Sequence, residues 1–180
     1  IVSLILGMGL PTPVAYIIVA LALVPFMQQI GIPPLQAHFF VFYFAVFSTL
    51  TPPVAVSVLA AAKLGEATFL STAKDAMKIA LTTFIIPFAF VFSPELMLFP
   101  NVTWGTMLAV VEVVFVQLAM SVASYGFLIR SLNGFERGVY AFVALSGFLG
   151  FTYDANFWYV AVALFMAISG YIFLSNKTQG

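Results

Sequence analysis

The stretch Ser48-Thr49-Leu50-Thr51-Pro52-Pro53 interrupts an apolar run that otherwise extends from about residue 34 to residue 62. Proline lacks an amide N–H and clashes with the preceding turn, so the helix opens over Thr49, Leu50 and Thr51. The spacing predicts one half-helix ending near Ser48 with bare carbonyls. A second begins near Pro53 with free N–H groups, and Thr51 is placed to cap it. Carbonyls at the first end suit a cation, and the second end favours a carboxylate. The competing reading is a kinked helix whose prolines only shape packing.

A second break lies upstream, at Gly7-Met8-Gly9-Leu10-Pro11-Thr12-Pro13. Two glycines and two prolines in seven residues do not continue a helix. Two readings fit. One is a re-entrant hairpin over residues 1–30 whose tip stops mid-membrane. The other is an ordinary span over about 12–29 preceded by a loop. Irregular backbone at membrane depth is tolerated only where protein or a wet cavity covers it. Paired interrupted segments near the midplane point to a transport site.

The surrounding composition makes the membrane setting necessary. Of 180 residues, 63% are apolar and 7% charged, against roughly 45–50% and about 25% in soluble globular chains. A water-soluble fold cannot hide so much apolar surface. A net charge of zero gives no footprint for nucleic acid. The chain has no cysteine, which excludes disulfides and thiolate metal sites. Its single histidine, His38, cannot build a multi-histidine metal site. No Ser/His or paired-Asp constellation falls within the spans, so an enzyme is not expected. Further apolar runs long enough to cross ~30 Å of hydrocarbon as helix lie at about 69–92, 103–129 and 157–174, with a shorter one at 138–152. The fold class expected is an all-α polytopic membrane protein.

The chain opens on Ile1 without a start methionine or the basic flank of a signal peptide. It is therefore expected to be the C-terminal part of a longer polypeptide. With the connector at 63–66 on one side, those at 130–137 and the tail at 176–180 fall on the same side. The connectors at 28–34, 93–102 and 153–156 fall on the other. All six basic residues, Lys63, Lys74, Lys78, Arg130, Arg137 and Lys177, lie on or near the first side. Basic residues mark the cytoplasmic face, so the C-terminus is expected in the cytoplasm.

Four segments together resemble the fused membrane subunit of TRAP transporters, most nearly the type that works with TAXI substrate-binding proteins. They are Gly7-Met8-Gly9-Leu10-Pro11-Thr12, Ala37-His38-Phe39-Phe40-Val41-Phe42-Tyr43-Phe44, Thr51-Pro52-Pro53-Val54-Ala55 and Pro87-Phe88-Ala89-Phe90-Val91. Weaker likenesses are Tyr125-Gly126-Phe127-Leu128 and Glu136-Arg137. The resemblance implies that residues 1–98 end a transport module, with a hairpin at 1–30, a broken helix at 34–62 and a helix at 69–92. Residues 99–180 would be additional C-terminal transmembrane helices. It implies a sodium-coupled, binding-protein-dependent secondary transporter of organic anions, of elevator type, in a bacterial or archaeal cytoplasmic (inner) membrane. Partners would be a periplasmic or extracellular TAXI-type binding protein and the remainder of the same permease. No cofactor is implied beyond sodium as coupling ion.

Carried over residue by residue, Gly7, Gly9, Pro11 and Thr12 would line the hairpin tip. Ser48, Thr49, Thr51, Pro52 and Pro53 would line the break. Sodium would be held at Gly9, Thr12, Ser48 and Thr51. Pro13 departs from the small polar residue of the family pattern. The first inverted half is missing from the chain, so half of a transport site is expected here. The alternative is a membrane anchor or assembly subunit with no transport site of its own.

Other polar residues read more plainly. Glu112, deep in its span, shares a face with Gly105, Ala109, Ala119, Ala123 and Gly126, a small-residue seam between helices. It reads as a packing residue ahead of a transport residue. His38 reads as an interfacial hydrogen-bonding residue, and Lys74, Asp75 and Lys78 as a solvated or headgroup-facing set. Trp104, Trp158 and Tyr159 read as aromatic-belt anchors.

Overall fold

The structure, a computed structural model, describes residues 1–97 and 102–177. The connector expected at 93–102 falls partly, and the tail at 176–180 largely, outside the described residues. The described residues are 80% helix without strands, in keeping with the composition. The described residues form α1 (Val2–Gly7), α2 (Thr12–Gln29), α3 (Pro34–Ser48), α4 (Val56–Leu64), α5 (Phe69–Thr83), α6 (Ile85–Phe92), α7 (Trp104–Tyr125), α8 (Gly134–Thr152) and α9 (Ala155–Lys177). Two compact units divide the chain, Ile1–Pro94 and Glu95–Gly180.

Four helical stretches are long and apolar enough to cross a membrane: Thr12–Gln29, Phe69–Phe92, Trp104–Tyr125 and Asn156–Asn176. Their outer faces are apolar too, with Leu21, Leu70, Val111 and Met166 all exposed. In water such faces would drive association. Against lipid they cost nothing, and helix contact is left to close packing and hydrogen bonds.

In the first unit α1 turns back on α2, and α2 packs along α3. Pro11 precedes α2 and Pro33 precedes α3, each at the position where a missing N–H is harmless. The seam between α2 and α3 is built from Val19, Val24 and Met27 against Ala37 and Val41. Tyr16 Oη lies 2.8 Å from His38 Nδ1 across the same pair of helices. His38 thus takes the hydrogen-bonding place its position suggests. Lys74, Asp75 and Lys78 are exposed, also as expected.

The run at 69–92 is not one uninterrupted helix. It breaks at Phe84, three residues before Pro87. Proline at 87 has no N–H to offer the carbonyl one turn back, at Thr83. Tyr43 Oη donates to that carbonyl instead, at 3.2 Å. Phe84 packs on Phe47, ring centroids 4.9 Å apart, which seats the break against the end of α3.

In the second unit α7 packs on α8 and α8 on α9. Thr103 with Thr106, and Asn133 with Glu136, form reciprocal caps that start α7 and α8. The cap at Asn133 starts α8 at Gly134, ahead of the residue 138 expected from hydropathy. The charges that the sequence reading places in a connector are absorbed locally. Arg130 Nη2 donates to Glu136 Oε1 at 2.6 Å and Arg130 Nη1 to Oε2 at 3.0 Å. Arg137 donates to the Ala123 and Ser124 carbonyls at the end of α7. The hydrogen bond from Arg130 is the main reason the Glu136 carboxyl is held below the ordinary glutamate range.

The small-residue seam of α7 is present, with Ala109 and Ala119 buried beside Val116. Glu112, on the edge of it, is half-buried. Trp104 and Tyr159 are exposed at helix ends, in keeping with belt positions. Trp158 is not an outward anchor. It is half-buried and packs edge-on against Phe115, centroids 4.9 Å apart.

Candidate functional site

Both breaks form where glycine and proline cluster. α1 ends at Gly7, and α2 begins at Thr12 with Pro13 in its first turn. α3 ends at Ser48, and Thr49, Leu50 and Thr51 unwind as expected. The second half-helix begins later than expected, at Val56 and not near Pro53. Pro52 and Pro53, joined by a cis peptide bond, bring in no N–H; the chain turns over residues 52–54 and enters the helix only after Ala55. That residue is buried and left-handed, with φ 38° and ψ 59°. Thr51 does not cap α4, because its Oγ1 points back and donates to the Phe47 carbonyl at 2.8 Å. No side chain caps α4.

The two breaks meet. Ser48, wholly buried, places Oγ 2.9 Å from the Gly7 carbonyl and 2.7 Å from the Ala45 carbonyl. A Cβ on Gly7 would stand 2.5 Å from that Ser48 Oγ, so only glycine lets α1 come so close to α3. Gly9 carries φ 76°, and a Cβ there would lie 3.2 Å from Val54 Cγ1. Tip and break therefore touch at two levels, Gly7 against Ser48 and Gly9 against Val54.

Beside these contacts is a cavity of about 340 Å³, within the size range of ligand sites. Gly9, Leu10, Pro11 and Thr12 line it from the tip, and Thr49, Val56 and Ser57 from the break. It thus gathers Gly9, Pro11, Thr12 and Thr49 of the expected residues. Gly7 and Ser48 form the buried contact behind it. Thr51 is half-buried, and Pro52 and Pro53 are exposed; none of the three lines the cavity. Ser57 and Val56 were not anticipated from sequence. Ser57 is the first polar side chain of α4, so a correct start for that helix would have singled it out.

Two helices end at this cavity and two begin. The ends of α1 and α3 present carbonyls and partial negative charge, and the uncapped starts of α2 and α4 present N–H groups and partial positive charge. One link already crosses the break: Ser57 N–H donates to the Thr49 carbonyl at 3.1 Å. A hollow of this kind can hold a cation and an anionic group side by side. A second cavity, about 520 Å³, shares Thr12 and continues between α2 and α3 along Tyr16, Leu35, His38, Phe39 and Phe42. Among the described residues no cluster of His, Cys, Asp and Glu forms a metal site.

No curated protein and no solved structure gives a match. A family model does, over residues 1–105, which is more than half of the chain and includes both breaks. Its description is Tripartite ATP-independent periplasmic transporter, DctM component. The chain belongs to that family and is a membrane component of a TRAP secondary transporter.

Proposed function

We propose that the chain contributes half of the transport site in a sodium-coupled uptake system for organic anions, carboxylates above all. The observation that carries the reading is the meeting of the hairpin tip with the helix break around one cavity, in a chain of this family. Sodium, a co-transported substrate, is held by oxygens on the break side of the cavity, and Gly9 and Thr12 of the tip close it from the opposite wall. Ser48 keeps the tip seated, and Thr51, Pro52 and Pro53 keep the break open. The start of α2, whose N–H groups no side chain caps, favours the carboxylate of the organic anion. Neutral side chains suit a loaded unit that crosses as a rigid body, in the manner of an elevator, because a permanent charge would be expensive in lipid.

The substrate-binding protein expected of a TRAP system is of the TAXI type, and the permease continues upstream with the matching inverted half. The membrane is the cytoplasmic one. The clustering of all six basic residues toward one side supports a cytoplasmic C-terminus.

The test uses the full-length permease in proteoliposomes with its binding protein and a panel of radiolabelled carboxylates. An inward sodium gradient drives uptake, and Gly9→Leu abolishes it at normal membrane levels. Uptake by Gly9→Leu equal to wild type would favour the anchor reading.

A further inference from the structure

Every hydroxyl at the break has a proton with a fixed destination. Ser48 Oγ directs its proton to the Gly7 and Ala45 carbonyls, and Thr51 Oγ1 to that of Phe47. Thr49 Oγ1 donates to the Val46 carbonyl at 2.8 Å, and Ser57 Oγ donates to Thr49 Oγ1 at 3.1 Å. The last two bonds form a relay with one direction, because a carbonyl can only accept. Val46 O fixes the Thr49 proton, which leaves Thr49 Oγ1 as the acceptor for Ser57.

A hydroxyl has one proton and two lone pairs. At the head of the relay, Ser57 Oγ gives its proton inward and keeps its lone pairs for whatever shares the cavity. Its backbone N–H is engaged as well, with the Thr49 carbonyl. Ser57 thus lines the cavity, exposed, with acceptors and no free donor. A carboxylate would meet lone pairs there, and a hard cation would meet an oxygen ligand. Across the cavity the Thr12 hydroxyl has no partner among the described residues and can turn its proton to an anion.

We propose that Ser57 Oγ is a cation ligand at the break, oriented by Thr49, which acts as its positioning residue. The assignment rests on the reading that this cavity takes the coupling sodium. It adds a ligand from α4, where the sequence placed none. It also divides the cavity into a cation side at the break and an anion side at the tip.

The experiment is a sodium titration of thermal unfolding, in choline chloride replaced stepwise by sodium chloride, on the purified full-length permease without organic substrate. A ligand that binds only the native state stabilises it by RT ln(1 + c/Kd) at free concentration c, so the melting temperature begins to climb with log concentration near Kd. For Ser57→Ala the sodium concentration at which that climb begins should rise about tenfold, the loss expected for one contact to a charged group. Ser57→Cys, close in size but with a soft ligand atom, should rise similarly, and Ser57→Thr should stay near wild type. Thr49→Val should shift the same way by less. A wild-type titration curve for Ser57→Ala or Ser57→Cys would overturn the assignment while leaving the sodium reading intact. A Ser57→Thr curve as weak as that of Ser57→Ala would overturn it in favour of a purely steric role. A wild-type protein that does not respond to sodium would overturn the sodium reading, and this assignment with it.

Discussion

The space at Gly7 is set by Ser48 Oγ, which a Cβ would approach to 2.5 Å. Gly7→Ala must therefore separate α1 from α3 or rotate Ser48 off both its carbonyls. Overpacking of this kind costs about 1–3 kcal/mol, read as a lower melting temperature of the purified permease. Gly9→Ala meets a different obstacle, since φ 76° disfavours an L side chain by about 1–2 kcal/mol. The Arg130–Glu136 pair gives a pH dependence of known sign. Its hydrogen bond lowers the Glu136 carboxyl in the folded chain, so the stability it adds is present above the ordinary glutamate value of about 4.3 and is lost as pH falls through the lower folded value. Acidification in that range should lower the melting temperature of wild type more than that of Glu136→Gln. The glycines and prolines of both breaks were legible one residue at a time, because their effect on the backbone is local. Ser57 was not, because its place depends on Ala55, a buried left-handed residue that no local propensity announces.

Among the elements, the helix ends near Ser48 and Gly7 follow from sequence, and the start of α4 and the break at Phe84 do not. The run at 69–92 reads as continuous because Pro87 within an apolar stretch is compatible with a kinked span. What opens it is tertiary: Tyr43 supplies the donor that Pro87 lacks, and Phe47 packs on Phe84. Tyr43→Phe should leave the Thr83 carbonyl without that donor and cost about 1 kcal/mol in thermal unfolding. It should also increase hydrogen exchange at residues 83–86, the segment that Tyr43 ties to α3. The start of α8 was hidden for a related reason. Hydropathy placed Glu136 and Arg137 outside the helix, whereas partners at residues 123, 124, 130 and 133 accommodate both within its first turn.

For the whole molecule, composition alone required a helical membrane protein, and the family match over residues 1–105 agrees with the motifs that pointed to TRAP transporters. The proposed orientation, drawn from charge, can be tested directly. Single cysteines at Leu64 and Gly31, in a full-length permease stripped of other cysteines, should be labelled by a membrane-impermeant maleimide from the cytoplasmic and outer faces respectively. The central claim is that the glycine tip and the proline break face each other across one cavity. A Cβ built on Gly9 lies 3.7 Å from Val54 Cβ, within the separation a disulfide spans. In that background the Gly9→Cys/Val54→Cys permease, mildly oxidised in its membrane, should form the intramolecular cross-link in high yield, detected by mass spectrometry of the joined peptides. Two thiols that each react with maleimide but never join would place the tip away from the break and contradict the claim.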